Sequence, residues 1–397
     1  MKRLPVPFIR LSGYYFFHFA TLGLLMPFWG PYLRELGIDE KGIGLVYATL
    51  LGAKIIAPNV WGWLGDHFGR RLPLIRGGAL GALLVFAFLG NQPTFAMILL
   101  VMAGFGFFWN AILPQFEATT LNHLGRDHSR YTLIRVWGSA GFIAAVLGGG
   151  WWFDSHAIEQ LPTLVMILLV GLLLSTLLTP EPAGSTRPGP GEKARLWPVL
   201  KQPRVLALFV VFFLMQASHG PYYSLFSIYL EDLGYSRSQV GQFWALGVFA
   251  EIGVFLLMPW LLRRFSLKGL LLCALLVTTG RWLMIGLIAD KMWALLLAQS
   301  LHLASFGIYH GVAVVFIHRL FTGSLQGRGQ ALYSSLGFGA GGAVGSVMAG
   351  YIWSSVSPAA VFLAAAAATG LAALLAMLGV VEPRASAPAE SSANEFT

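Results

Sequence analysis

Tyr32-Leu33-Arg34-Glu35-Leu36-Gly37 returns 197 residues later as Tyr229-Leu230-Glu231-Asp232-Leu233-Gly234, and the same offset carries Ile43-Gly44 onto Val240-Gly241 without a gap. Each copy ends an apolar run and is followed by another, so the chain reads as two related halves whose first two helices correspond. At this offset Lys54 falls on Glu251: the second helix of each half carries one ionisable residue at one depth, with opposite sign.

Around this repeat the composition is that of a chain dissolved in lipid. Of 397 residues 56% are hydrophobic and only 11% charged, against about 25% charged in a soluble domain. The apolar runs recur at about 20 residues, the length a helix needs to cross the hydrocarbon core. They predict helices near 8–33, 41–63, 72–90, 95–122, 131–153, 161–179, 205–230, 238–262, 268–289, 292–318, 329–353 and 359–380. The expected fold is therefore an all-α membrane protein of twelve transmembrane helices, in two six-helix pseudo-symmetric halves over 1–179 and 204–382. Between them the Pro/Gly-rich stretch 180–203 reads as a linker, and 383–397 as a disordered tail.

The net charge of +9 does not mark a nucleic-acid surface, because the basic residues sit in short connectors rather than on one face. Of 26 Lys and Arg, 19 fall on the side of the termini, four (Arg34, Lys41, Arg237 and Lys291) on the opposite side, and three (Lys54, Arg135 and Arg281) inside helices. The positive-inside rule then puts both termini in the cytoplasm, for a multi-pass protein of the cytoplasmic membrane. The basic N-terminus before an apolar stretch is signal-like, but that stretch runs past 20 residues without a small-residue cleavage site and is expected to be the first helix. A single cysteine, Cys273, excludes an intrachain disulfide and reads as a small buried hydrophobe.

Parallel halves related by an axis along the membrane normal are a transporter architecture, with the solute held between them near the midplane. The connector after the second helix, Gly62-Trp63-Leu64-Gly65-Asp66-His67-Phe68-Gly69-Arg70-Arg71, resembles the signature loop of the major facilitator superfamily. Gly62, Asp66, Gly69, Arg70 and Arg71 would form a tight turn and a latch at the helix ends. The counterpart Leu261-Leu262-Arg263-Arg264-Phe265 lacks the acid and the glycines. Within the superfamily the chain resembles the 3-phenylpropionate permease-like and lactose permease-like proton symporters through Met26-Pro27-Phe28-Trp29, Arg135-Val136-Trp137-Gly138-Ser139, Leu246-Gly247-Val248 with Ala250-Glu251, Gly280-Arg281-Trp282, and His302 with His310. The resemblance implies a sugar-holding placement for Glu117 and Arg135 and a monomer. The tenth helix has no carboxylate, so a proton path copied from lactose permease does not carry over.

A charge at the bilayer centre costs roughly 2.5–3.5 kcal/mol on insertion scales and so faces a cavity or a partner. Helix arithmetic puts Glu251 and Arg281 at nearly one depth, where a pair is expected, and Glu117 and Arg135 shallower but level with one another. Static ion pairs holding hairpins would explain the same residues. His18, His219, His302 and His310 lie in apolar runs; His302 and His310, eight apart, share a face about 12 Å long. The stretch His219-Gly220-Pro221-Tyr222-Tyr223 is expected to break the seventh helix near midplane. Trp29, Tyr47, Trp109, Trp244 and Trp282 are candidates for an aromatic pocket. Gly337, Gly339 and Gly342 match a dinucleotide fingerprint, but inside an apolar helix they read as packing residues.

The reading that follows is proton-coupled symport of a small organic solute, best an aromatic carboxylate such as a phenylpropionate. Lys54, Glu117, Arg135, His219, Tyr222 and Arg281 would bind the solute; Glu251, His302 and His310 would handle the proton. No cofactor, metal or nucleic-acid partner is expected, the proton gradient being the driving force. The rival within the class is a sugar or nucleoside permease working through Glu117 and Arg135. From another class comes a non-transporting solute receptor, for which no connector is long enough to hold a signalling domain. An enzyme would need a nucleophile–base or metal cluster, and the spacing offers none.

Overall fold

The computed structural model describes residues 7–68, 70–90, 92–125, 129–182 and 196–382. All regular elements among them are helical. The first half comprises α1 (Phe8–Glu35), α2 (Glu40–Phe68), α3 (Leu72–Ala87), α4 (Phe95–Leu124), α5 (Ser129–Ser155) and α6 (Leu161–Leu178). After a short helix α7 (Trp197–Leu200) come α8 (Pro203–Ser224), α9 (Phe226–Asp232), α10 (Arg237–Arg264), α11 (Leu267–Ile288), α12 (Met292–Ser300), α13 (Tyr309–Leu320), α14 (Gln326–Leu332), α15 (Gly342–Ser355) and α16 (Pro358–Gly379). Wide π-helical turns, Leu303–Ile308 and Tyr333–Gly341, join α12 to α13 and α14 to α15. Nine helices of the described residues are long and apolar enough to cross a membrane; the other expected spans fall on α1, on α3 and on α14 to α15. Large apolar side chains such as Ile56, Leu100, Trp151, Leu256 and Leu378 point outward, where lipid receives them.

The repeated hexapeptide acquires a physical meaning at the ends of α1 and α9. Gly37 and Gly234 take φ of 78° and 87°, and each closes a Schellman cap: Gly37 N–H donates to Arg34 O and Ile38 N–H to Leu33 O, while Gly234 N–H donates to Glu231 O and Tyr235 N–H to Leu230 O. The two caps lie at the far side of the molecule, opposite the chain termini. There Arg34 and Asp232 pair at 2.6 Å and Arg237 and Glu231 at 3.1 Å. Arg237 also donates to Phe153 O, and Asp154 accepts from Ser238 N–H.

Below these pairs the halves meet backbone to backbone. A Cβ on Gly44 would stand 2.3 Å from Ser346 O, and one on its repeat partner Gly241 2.3 Å from Val146 O. A Cβ on Gly350 would meet Glu40 O at 2.3 Å, and one on Gly150 would meet Arg237 O at 2.6 Å. Glu40 maps onto Arg237 at the same offset as the glycines, so the two-fold relation is visible contact by contact. Gly30 approaches Ser224 O in the same way. At that level Tyr47 enters the α1 ladder, accepting from Gly30 N–H and donating to Met26 O, between Pro27 and Pro31.

The buried core follows this division. One cluster runs through the first half and takes in Tyr222, Phe226, Trp244, Trp282, Trp353 and Phe362 from the far side of the second; a separate cluster fills the near side of the second half alone. The halves therefore share a core at one end only, and the gap between them opens toward the termini.

Several expectations are corrected. The seventh span does not break at Pro221: α8 passes through it and stops at Leu225 (φ −125°). Pro221 has no N–H for Ala217 O, and Gly345 packs on that carbonyl, 2.0 Å from where its Cβ would stand. The presumed turn at Gly62 is also helix, since α2 continues to Phe68 and nothing lies within 4 Å of a Cβ on Gly62. Cys273 is exposed on the apolar exterior rather than buried. The stretch 180–203 holds α7 and the start of α8; residues 183–195, the tail 383–397 and Gly69 lie outside the described residues.

Gly241→Val should prise α10 from α5, at a cost of about 1–3 kcal/mol for overpacking, and lower the thermal midpoint in detergent. Gly62→Ala, with open space around it, should leave that midpoint unchanged.

Candidate functional site

The ionisable residues of the helix interiors separate into an open group in the gap and a buried group behind it. In the open group Arg135 Nε stands 3.8 Å from Glu117 Oε1, and the Tyr131 hydroxyl donates to the same oxygen at 3.4 Å. Arg135 lies over Phe19 at 4.2 Å and over Tyr15 at 5.4 Å. Gly138 makes room for it, as a Cβ there would stand 2.8 Å from a guanidinium nitrogen. About a third of each of the Arg135 and Glu117 side chains is exposed, so the pair expected from helix arithmetic exists and faces the gap. Lys54 has no carboxylate partner among the described residues; its ammonium sits over the Phe338 ring at 5.4 Å.

Glu251 is brought to its partner by two glycines. Gly247 packs against His302 and Gly307 against Val254 and Glu251, so α10 lies close along the π turn. Glu251 Oε2 consequently stands 3.8 Å from His302 Nε2. From His302 a column of near-parallel rings runs through Phe306 (5.7 Å) to His310 (5.6 Å). His310 Nδ1 meets the Tyr333 hydroxyl at 3.1 Å. The two histidines thus share a face, as their spacing predicts, even though the helix between them widens to a π turn.

The expected Glu251–Arg281 pair does not form. Arg281 is fully buried and bonded to neutral groups: Nε to Ala298 O at 2.9 Å, Nη1 to Ser305 Oγ at 2.9 Å and Nη2 to Gln299 Oε1 at 3.3 Å. Its guanidinium lies over the Tyr222 ring at 4.4 Å and the Trp282 ring at 4.5 Å, a cation–π arrangement that offsets part of the cost of burial. The Tyr222 hydroxyl donates to Gln299 Oε1 at 3.0 Å and its ring stacks on Trp244 at 4.5 Å. His219 bonds back to Met215 O through Nδ1 and packs edge-on to Trp282. Tyr222, His219 and Arg281 therefore form a second layer, behind the gap.

Of the remaining candidates, His18 is buried in a stack with Trp109 at 4.1 Å. Trp29 and Tyr47 belong to the far-side core, while Trp244 and Trp282 flank Tyr222. Gly339 and Gly342 pack against α2, and Gly337 faces Gln216. In the signature stretch Arg70 and Arg71 follow the end of α2, and Arg71 caps α3.

This arrangement of parallel halves, one-sided core and interior charges has a match in known proteins. The family described as "MFS_1 like family" matches residues 8–364. The chain belongs to this family. As a member of the major facilitator superfamily it is a multi-pass transporter and not an enzyme. A protein of Escherichia coli K12 named "Probable 3-phenylpropionic acid transporter" is 32% identical over 348 residues, covering 85% of this chain and 89% of that protein. The maltose permease of Geobacillus stearothermophilus is 26% identical over 356 residues, covering 88% and 89%. Among solved structures, a mutant of the nucleoside transporter NupG superposes with a TM-score of 0.84 at 17% identity, over 94% of this chain and 99% of that one; it shares the fold.

Gln299, Ser305 and Tyr131 belong to the site and carry no charge, which is why a search for ionisable residues passes over them. Gln299 has one sequence signal, an amide inside the apolar run Trp293 to Leu301. In this facilitator the buried guanidinium is held by its fork geometry. Arg281→Lys should lose at least one of the three bonds and cost about 1–3 kcal/mol, read as a lower unfolding midpoint by tryptophan fluorescence in detergent. Lys54→Gln, in the open layer, should stay within about 0.5 kcal/mol of the parent.

Proposed function

We propose that the protein is a proton-coupled symporter of a small organic anion, an aromatic carboxylate of the phenylpropionate class. It works as a monomer in the cytoplasmic membrane with both termini in the cytoplasm. The observation that carries this reading is the charge inventory of the helix interiors. Away from the helix ends, the cations Lys54, Arg135 and Arg281 stand against two carboxylates, Glu117 and Glu251. One positive charge is left uncompensated while both carboxylates are ionised, and two when Glu251 is protonated, in a medium where that is costly; a monoanionic solute offsets one of them. The cations are lined by aromatic faces, Phe19 and Tyr15 at Arg135, Phe338 at Lys54, Tyr222 and Trp282 at Arg281, which suits a solute with a ring.

Glu251 is the proposed proton carrier. Its nearest ionisable neighbour is an imidazole rather than a guanidinium, and a carboxylate that must be enclosed without a cation is enclosed most cheaply when protonated. His302 is placed to exchange that proton with Glu251, and His310, on the near side of Phe306, to exchange one there. Closure of the near-side gap around the protonated, loaded site, followed by opening of the far-side contacts, completes alternating access between the halves. The two regions 1–179 and 204–382 are the proposed rocking units, joined through 180–203. In this scheme Arg70 and Arg71, with Gly62, Asp66 and Gly69, serve the near-side closure.

A neutral sugar has its own support in the exposed Glu117–Arg135–Tyr131 group, which presents both acceptors and donors to hydroxyls.

Uptake of labelled 3-phenylpropionate and of a galactoside into proteoliposomes, with and without an inward proton gradient, tests the reading. Gradient-driven accumulation of the carboxylate is expected; accumulation of the galactoside alone would replace it with the sugar reading. Glu251→Gln should abolish gradient-driven accumulation and leave solute counterflow within about twofold, as a neutral isostere no longer exchanges the proton. Accumulation that survives in this variant would remove Glu251 from the proton path.

A further inference from the structure

The bonds around Gln299 fix which way its amide points. Arg281 Nη2 can only donate, and it and the Tyr222 hydroxyl converge on one atom of the amide. That atom is the carbonyl oxygen, so the amide nitrogen is turned the other way. The Gln299 side chain is fully buried, and Nε2 has no hydrogen-bond partner among the described residues. Arg281 commits three of its five N–H groups, all to neutral acceptors, and forms no ion pair among the described residues. His219 donates from Nδ1 to Met215 O, so its buried, unpartnered Nε2 is an acceptor and adds nothing to this set. A buried donor left unpaired is expensive, and here Gln299 Nε2 lies beside a buried cation that keeps two N–H groups uncommitted.

We propose that Gln299 is the residue that selects a carboxylate, and that with Arg281 it forms the seat in which the solute's anionic group rests once the halves have closed. This rests on the reading of the solute as an aromatic carboxylate. It moves the grip from the open cations to the buried layer. Arg135 already has Glu117, and Lys54 stands alone over a ring in the gap, where it attracts an anion without enclosing it. The buried layer offers donors from two planar groups, and a carboxylate is an acceptor-only partner that can take several N–H bonds at once. A hydroxyl would bring a proton of its own and leave Arg281 uncompensated. Tyr222, Trp244 and Trp282 border this layer with aromatic side chains.

The test compares wild-type protein with Gln299→Glu and Gln299→Leu, each full-length in detergent, using quenching of tryptophan fluorescence by 3-phenylpropionate, benzoate and uncharged 3-phenylpropanol. In Gln299→Glu an internal carboxylate occupies the seat beside Arg281, so affinity for the carboxylates should fall by about tenfold or more while affinity for the alcohol changes less than about twofold. Elution as a single monodisperse species keeps folding out of the comparison, and Gln299→Leu should show the same selective loss. Wild-type affinity for 3-phenylpropionate in Gln299→Glu would overturn the seat and leave the solute reading standing. If the wild type binds benzoate but not 3-phenylpropionate, and Gln299→Glu loses benzoate, the seat stands and the phenylpropionate assignment falls. A wild type that binds neither carboxylate overturns both.

Discussion

Two pairs of glycines let the halves of this transporter touch through bare backbone, and the rest of the molecule is arranged around that contact. A side chain at Gly44, Gly241, Gly150 or Gly350 would have to occupy the place of a carbonyl oxygen on the opposing helix. The closest of these approaches lie at the far side, where the core is continuous between the halves; elsewhere it is divided. In lipid there is no hydrophobic drive to press helices together, so intimate packing of small residues is among the forces available to hold them. The gap at the near side is the geometric complement of that grip.

Interior charge is organised by depth behind this gap. Residues that line it, Glu117, Arg135 and Glu251, keep part of their surface exposed and make loose pairs at 3.8 Å. The residue with no exposed surface, Arg281, is held by three hydrogen bonds and two ring faces. Loose pairs can exchange partners at little cost, whereas removing a group from a tight neutral cage orphans several others at once. The front layer is therefore built to change partners and the back layer to keep one arrangement.

Much of this was legible in the order of residues. The hexapeptide repeat was legible as a repeat, and the structure gives it its reason: its glycines close both Schellman caps at positive φ. Depth arithmetic found the Glu117–Arg135 pair, since those residues flank one connector and a hairpin brings them face to face. The same arithmetic failed for Glu251 and Arg281: height along a helix says nothing about which neighbour lies across from it, and Gly247 and Gly307 turn Glu251 toward His302 instead. Pro221 misled because a freed carbonyl was taken to need a break, when Gly345 covers it. Gln299 and Ser305 escaped because a neutral amide or hydroxyl in an apolar run raises no electrostatic alarm until its neighbours are known.

The hexapeptide ends meet near the pseudo-two-fold axis, where a residue of one half faces the counterpart of its own neighbour. Arg34 of the first copy reaches Asp232 of the second, and the position equivalent to Arg34 is Glu231. Two first halves brought together by this axis would match Arg34 with Glu35 twice over. Two second halves would set Glu231 against Asp232 twice, with like charges on both sides. A single inherited change of sign thus makes the second half a poor mate for another copy of itself. The first half carries no such penalty, so the seam between the halves holds its charges only by sending Glu231 to Arg237 instead.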